Sequence, residues 1–265
     1  MFLENSCSLQ ILRRHHFQYH ILHSTFTMPT AFIIGAGPNV GQAVAETFAA
    51  AGFQVAVASR TPKLDAKFRH YVFDGSKPET LPAVFEKVSA DLGVPSVVIY
   101  NAYKGKVETA DNPFGDIDLD TFKENLGINT LSPFVAVQEA IKGFEKLGPS
   151  GLGPAGGTFI FTGNITNVSA IPGFLVFGMQ KSATASMIQN LALASYPDKP
   201  YKFYFTDERR SDGTYVPQGL SGPAHAAIYI DLAKDAKQRP WNQTFVYGKG
   251  YVEFPRKEFL PWNPN

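Results

Sequence analysis

The chain has 265 residues, which is enough for one α/β domain with a large core or at most for two small domains. Its 24 basic and 23 acidic residues nearly cancel, so neither nucleic acid nor an anionic membrane is an expected partner, and a small molecule is favoured. Cys7 is the single cysteine, which excludes an intrachain disulfide and a cysteine-based zinc site. No uninterrupted apolar run approaches the roughly 20 residues of a membrane-spanning helix, so we expect a soluble, cytoplasmic protein.

Residues 1–28 differ in composition from the rest and are predicted to be an extension, disordered or loosely docked, before a single domain at 29–265. Met1–Thr27 holds four of the six histidines, one acidic residue and no glycine or proline. A start site at Met28 explains this most simply; a mitochondrial presequence is a minor alternative. A metal site is the sharper interpretation of His15, His16, His20 and His23, but they lack acidic or cysteine partners. We expect deletion of Met1–Thr27 to leave folding and ligand binding intact.

The first elements of the domain are a strand, a glycine-rich loop and a helix. An apolar run at 30–34 leads into the loop, 42–51 has helical periodicity, and 52–58 supplies a second strand. The loop consists of Gly35, Ala36, Gly37, Pro38, Asn39, Val40 and Gly41. Gly35 and Gly37 would let backbone N–H groups approach a pyrophosphate, and Gly41 would let helix and strand pack closely. The pattern predicts a βαβ dinucleotide-binding unit.

The residues after the second strand indicate which dinucleotide is bound. Ser59-Arg60-Thr61 stands where such folds usually have an acidic residue for the ribose 2′-hydroxyl. Arg60, with Ser59 and Thr61 as hydroxyl donors, suits a 2′-phosphate, which favours NADP(H) over NAD(H). The alternative is an arginine that only faces solvent. A short third strand at 71–73 then ends at Asp74, which is placed to contact the adenine.

Strands and helices alternate through the rest of the chain. Helices are predicted at 78–92, 119–147, 178–196 and 223–233, and strands at 96–100, 157–162, 201–206 and 244–247. We therefore predict one doubly wound, Rossmann-type α/β domain: a parallel sheet of about seven strands with helices on both faces.

This order of motifs resembles the short-chain dehydrogenase/reductase family over nearly all of 28–254. The family's cofactor loop reads Thr-Gly-x-x-x-Gly-x-Gly, and Gly35 and Gly41 match its outer glycines while Asn39 stands at the middle one. Because Asn tolerates a left-handed backbone, we expect the loop to form. The resemblance assigns Asp74 to the adenine and matches Asn101-Ala102 to the family's Asn-Asn-Ala-Gly motif.

The same resemblance implies catalytic roles for residues in the second half. Asn129 matches the helix Asn that holds a proton-relay water, and Lys181 matches the Lys that orients the nicotinamide ribose and lowers the pKa of a catalytic Tyr. That Tyr, four residues before the Lys, is Phe177 here, and the Ser that polarises the substrate is Asn164. An amide can still donate a hydrogen bond to a carbonyl, but a phenyl ring has no proton to give.

The family's Pro-Gly after the sixth strand is also absent. The charged run of Asp207, Glu208, Arg209, Arg210 and Asp212 replaces it, and we interpret this run as a polar lid or as solvated surface.

Three functions are consistent with these residues. The first is an NADP(H)-dependent oxidoreductase acting on a small-molecule substrate, with Asn164 polarising it and Lys181 or Tyr103 supplying the proton. The second is a binding module that senses NADP(H) or a metabolite, and the third is a non-redox enzyme on the same fold. We also predict a homodimer or homotetramer built on the two long helices, with Leu126, Leu131, Val135, Val137, Ala183, Met187 and Leu191 as its apolar surface. No metal site is expected in the domain.

Overall fold

The computed structural model describes residues 28–261, so the predictions for Met1–Thr27 lie outside the described part. Its strands are β1 (Thr30–Ile34), β2 (Gln54–Ser59), β3 (Arg69–Val72), β4 (Pro95–Tyr100), β5 (Gly157–Thr162), β6 (Tyr201–Arg209), β7 (Asn242–Val246) and β8 (Gly250–Tyr251). They form one sheet in the order β3-β2-β1-β4-β5-β6-β7-β8, and only the β7–β8 pair is antiparallel. The predicted doubly wound parallel sheet is confirmed, with one short strand added at its edge.

The described chain has six α-helices. They are α1 (Val40–Ala50), α2 (Leu81–Leu92), α3 (Leu119–Leu126), α4 (Ser132–Leu152), α5 (Leu175–Asn190) and α6 (Gly222–Lys234). All except α3 pack apolar side chains on the sheet: those of α1 and α6 pack on one face, and those of α2, α4 and α5 pack on the other. Because both faces are covered, every residue of β1 and β4 is buried, which explains their continuous apolar runs. None of the helices in 28–261 is long and apolar enough to cross a membrane.

The long helix predicted at 119–147 is divided by one wider π-helical turn at Gly127–Leu131. A wider turn releases backbone carbonyls, and side chains from other elements bind them here. Tyr100 donates its hydroxyl hydrogen to Ile128 O at 2.6 Å, and Thr184 donates to Asn129 O at 2.7 Å. The turn therefore fixes Asn129 between β4 and α5.

Strand β6 continues through Arg209, three residues beyond its predicted end at Thr206. This corrects the interpretation of Asp207, Glu208 and Arg209 as a lid or as solvated surface, whereas Arg210 and Asp212 of the same charged run are exposed. Asp207, Glu208 and Arg209 pair with β7 and are buried. Their charges made them look like a loop in the sequence. Opposite charges at alternate positions, however, can pair on one face of a strand, and Asp207 and Arg209 do so.

Candidate active site

The glycine loop between β1 and α1 is shaped by close backbone contacts. Gly35 has φ +86°, and a Cβ added there would lie 2.2 Å from the backbone nitrogen of Ala102. A Cβ on Gly41 would lie 2.7 Å from Ala36 Cα. Asn101 holds the loop to β4, since its Nδ2 donates to Gly35 O at 3.0 Å. A Cβ added at Gly37, by contrast, would have no neighbouring atom within 4 Å, so the space beside Gly37 is available to a ligand.

The start of α1 is open to an anion. Asn39 precedes the helix without capping it, and no acidic side chain lies in the first turn, so N–H groups at the helix start are left for a ligand. The loop forms as expected, but Asn39 has φ −105° and does not use the left-handed conformation that asparagine tolerates. Its side-chain amide contacts the start of α6: Nδ2 donates to Leu220 O at 2.8 Å, and Oδ1 accepts from Gly222 N at 3.2 Å.

Arg60 and Asp74 lie at the far end of the same cleft, after β2 and β3. Arg60 is exposed. Asp74 accepts hydrogen bonds from the backbone N–H of Ser76 at 3.0 Å and from its hydroxyl at 2.9 Å. The backbone bond, with the nearby Arg60 charge, lowers the pKa of Asp74. Ser59 was expected to donate its hydroxyl hydrogen to a 2′-phosphate, but this hydroxyl donates to Thr61 O at 2.7 Å.

Lys181 lies at the opposite end of the cleft, in the middle of α5. Its side chain is only 2% exposed and its Nζ donates to Thr162 O at 3.1 Å. The ammonium also lies over the rings of Phe161 and Phe177, at 4.4 and 5.3 Å from their centroids. Burial lowers its pKa to about 7, while the charge of Asp207 opposes that shift. Lys181 can therefore change its protonation near neutral pH.

Phe177, Asn164 and Tyr103 line the cleft beside Lys181. Phe177 is 8% exposed and packs edge-on against Tyr103, with 6.3 Å between ring centroids. Tyr103 is 71% exposed, so its hydroxyl is in contact with solvent. Asn164 Oδ1 accepts from the backbone N–H and the hydroxyl of Thr166, which orients the amide; its Nδ2 has no partner among the described residues. Asn164 thus has a donor free for a ligand oxygen.

Asn129 lies behind the cleft rather than in its lining. It is fully buried, and its Nδ2 donates to Lys104 O at 2.5 Å and to Gln180 Oε1 at 2.8 Å. Its Oδ1 accepts from Lys104 N at 3.2 Å. These bonds join the segment after β4 to the residue that precedes Lys181, so Asn129 positions helix α5 against the cleft.

Two carboxylates at or beside the cleft were not assigned to it from the sequence, Glu108 and Asp207. Glu108 accepts from Leu175 N at 2.8 Å and Val176 N at 3.1 Å, and so places a carboxylate at the start of α5. Asp207 lines the cleft and its Oδ2 lies 2.5 Å from Arg209 Nε. Four residues at alternate positions share one face of β6: Phe203, Phe205, Asp207 and Arg209. This period of two is the signal that would have extended the predicted strand. No comparable signal marks Glu108.

These residues surround one cleft of about 730 Å³, at the carboxyl ends of β1 and β4, where the strand order reverses. An uncapped helix start, open space at Gly37 and a cation at Arg60 fit the phosphates of a dinucleotide. Among the residues that the structure describes, no three His, Cys, Asp or Glu side chains are grouped to hold a metal ion. Fold and cleft together define a dinucleotide-binding α/β protein.

Comparison with known proteins gives the family. Residues 29–199 match the family model of the short chain dehydrogenases. A relative from Cryptosporiopsis sp. (strain 8999), the short chain dehydrogenase/reductase dmxR12, is 42% identical over 240 residues, which are 86% of this chain and 95% of that protein. The chain belongs to the short-chain dehydrogenase/reductase family.

Solved structures confirm the fold at low sequence identity. A metagenomic short-chain oxidoreductase in complex with NADP has a TM-score of 0.68 and 12% identity, covering 82% of this chain and 96% of its own. An alcohol dehydrogenase from Thermococcus sibiricus complexed with 5-hydroxy-NADP has a TM-score of 0.66 and 18% identity, covering 87% and 100%.

Proposed function

We propose that this chain is an NADP(H)-dependent oxidoreductase acting on a small organic molecule, with a non-standard active site in which Phe177 stands in place of the family's catalytic tyrosine. The observation that carries the proposal is the position of Lys181: a buried amine in the cleft wall, opposite the end that holds Arg60. The similar structures with NADP or 5-hydroxy-NADP support the choice of cofactor.

The residues at one end of the cleft suit binding of the nucleotide phosphates, and those at the other end suit the redox reaction of the substrate. The glycine loop and the start of α1 would hold the pyrophosphate, and Arg60 would form charge-assisted bonds to a 2′-phosphate. The cofactor supplies or accepts a hydride when it is bound. Asn164 Nδ2 would donate to the substrate oxygen, while Phe177 and Tyr103 would exclude water from one side of it.

Three measurements test this proposal. Calorimetry should give tighter binding of NADPH than of NADH, and equal affinities would contradict the cofactor assignment. Purified protein should then oxidise NADPH, followed at 340 nm, in the presence of a panel of quinones, diketones and activated alkenes. A structure with NADPH that shows only apolar groups above nicotinamide C4 would count strongly against redox chemistry.

Phe177 is the observation that favours the other candidates, a metabolite-binding module or a non-redox enzyme on the same fold. Phe177→Tyr adds a hydroxyl one helical turn before Lys181, beside its ammonium, and should create a phenol of lowered pKa. Because a general acid contributes ~10² to 10⁴ in rate, we expect the variant to gain carbonyl reduction. Phe177→Tyr/Asn164→Ser is the stronger form of this test. If the double variant binds NADPH and still reduces no carbonyl, the binding or non-redox function is the better one.

A further inference from the structure

Asp207 lies on the face of the sheet that α4 and α5 cover, the same face as Lys181, although its position in a charged run suggests a surface loop. It follows Phe205 on β6 by two residues, and Phe205 packs in the core beneath α4 and α5. The preceding residue, Thr206, accepts a hydrogen bond from Gly163 N at 2.7 Å, so Asp207 is adjacent to the Gly163-Asn164 segment. Asp207 is 1% exposed and lines the same cleft as Lys181.

Only one oxygen of this carboxyl group is engaged within the described chain. Oδ2 pairs with Arg209 Nε at 2.5 Å, and Arg209 is itself held by Gly213 O at 3.2 Å from Nη1. Oδ1 accepts no hydrogen bond from residues 28–261. Glu208 also lines the cleft, but its Oε2 accepts from Ser221 N at 2.8 Å and lies 3.4 Å from His225 Nδ1, so this carboxyl group is bound to the start of α6. Asp207 is thus the buried cleft carboxyl on the α5 side of the sheet, where Lys181 lies, and its Oδ1 has no partner in the described chain.

We propose that Asp207 is the general acid of this active site and gives its proton to the oxygen of a carbonyl substrate, in place of a tyrosine hydroxyl. This role rests on the proposed oxidoreductase function. The carbonyl carbon receives the hydride that NADPH supplies, the C=O π bond breaks, and its electron pair stays on the oxygen. That oxygen takes the proton from the Asp207 carboxyl group, and water entering the cleft protonates the carboxylate again. The carbonyl is reduced to an alcohol while NADPH is oxidised to NADP⁺.

The charges around Asp207 suit an acid that works near neutral pH. Burial raises its pKa to about 6, which Arg209 and Lys181 oppose and Glu208 reinforces. These three are the charged groups acting on it from β6 and α5. Arg209 also keeps the carboxylate paired after the proton has left, so the conjugate base is not stranded in the protein interior. Brønsted behaviour favours an acid whose pKa lies near the working pH.

The test uses the full chain, NADPH and 9,10-phenanthrenequinone as the carbonyl probe, between pH 5 and 9. Asp207→Asn should lower kcat by ~10² to 10⁴ with little change in KM, and Asp207→Glu should recover part of the rate. The wild-type rate should fall as pH rises through about 6, and Asp207→Asn should lose that dependence. Asp91→Asn is the matched control, since Asp91 pairs with Arg69 at 3.0 Å outside the cleft, and it should keep the wild-type rate and profile.

A second readout needs no turnover. In the protein without nucleotide, the wild type should lose melting temperature relative to Asp207→Asn as pH rises from about 4 to about 6, because the folded state holds the proton of Asp207 more tightly than the unfolded state does. A constant difference between the two proteins would overturn the assignment. If Asp207→Asn does not fold, the wild-type kinetic profile decides, and a rate that is flat between pH 5 and 7 overturns it.

The outcomes separate this inference from the function on which it rests. No NADPH oxidation by the wild type contradicts both. NADPH oxidation that persists at the wild-type rate in Asp207→Asn contradicts only the role of Asp207. A fall in rate centred near pH 7 that survives in Asp207→Asn assigns the proton to Lys181, and a loss of rate in Tyr103→Phe without a loss in Asp207→Asn assigns it to Tyr103.

Discussion

The two ends of the cleft differ in what determines their properties. At the nucleotide end, the glycine loop is shaped by backbone contacts, and the charged side chains of Arg60 and Asp74 keep contact with solvent. The other end contains three buried charged side chains near the carboxyl end of β6: Lys181, Asp207 and Arg209. The first end therefore depends on shape, which changes little with pH. The second depends on charges in a medium of low dielectric constant, where each protonation alters the free energy of folding.

The largest expected effect comes from Lys181. Its pKa is lowered to about 7 in the folded chain from 10.5, so the wild type is least stable below pH 7 and gains stability as pH rises towards 10. At about 1.4 kcal/mol per pKa unit, the cost of holding the charged amine reaches ~5 kcal/mol. Lys181→Met should therefore unfold at a higher denaturant concentration than the wild type at pH 6, and the difference should disappear by about pH 10.

Lys202→Met is the matched control for that prediction. Lys202 is also buried, but its Nζ donates to the carbonyl oxygens of Leu232, Ala233 and Asp235 at the end of α6. Burial lowers the pKa of Lys202 only to about 8, and its loss leaves three acceptors without a donor, against one for Lys181, so Lys202→Met should gain less stability at pH 6 than Lys181→Met. If both methionine variants are destabilised at pH 6, the buried charge of Lys181 is not the costly feature.

The next effect tests the dependence of the nucleotide end on shape. Gly35→Ala places a methyl group against the backbone of Ala102 at a residue with φ +86°, and should cost ~3 kcal/mol in urea unfolding. Gly37→Ala makes the same chemical change where nothing lies within 4 Å, so its unfolding midpoint should stay close to that of the wild type. Its affinity for NADPH should fall instead, because the methyl group occupies space meant for the pyrophosphate. Equal unfolding midpoints for the two variants would contradict this account.

The local structure of the glycine loop could be predicted from the sequence better than the surroundings of Lys181, for the same physical reason. Glycine spacing and the apolar runs of β1 and β2 are local signals, and the folded loop follows from them. The burial of Asp207 and Arg209 depends on β7 and α5, which are distant in sequence, and a charged run read alone looks solvated. The π-helical turn at Asn129 likewise depends on Tyr100 and Thr184, whose hydroxyl groups no periodicity reveals.

A smaller effect is expected at Arg60, where the nucleotide end does use charge. Because Arg60 is exposed, Arg60→Asp should weaken NADPH binding by only about ten- to a hundredfold in calorimetry, with little change for NADH. Lys67→Asp reverses a neighbouring charge that does not line the cleft, and should leave both affinities unchanged. A loss of NADH binding equal to that of NADPH would mean that Arg60 does not contact the 2′-phosphate.

The smallest effect on the cleft is expected from substitutions in the surface of the predicted oligomer. Val137, one of the residues expected to form its surface, is only 4% exposed and belongs to the core, but Leu131, Phe134, Leu175 and Met179 are exposed on the long helices. We expect a dimer or tetramer in analytical ultracentrifugation and a monomer for Phe134→Glu. Phe114→Glu, on an exposed side chain outside these helices, should keep the wild-type mass. A monomeric wild type at micromolar concentration would rule the assembly out.

The hydrogen bond from Asn39 to Leu220 also has a consequence for how the chain folds. It joins residues that are 181 positions apart, so α6 must dock beside α1 before it can form. Contacts of such high sequence separation pay their loop-closure entropy late in folding. The glycine loop, although it is written in a few consecutive residues near the start of the domain, is therefore completed only when the last helix has docked. A refolding chain should recover nucleotide affinity in its final kinetic phase, together with the native state rather than ahead of it.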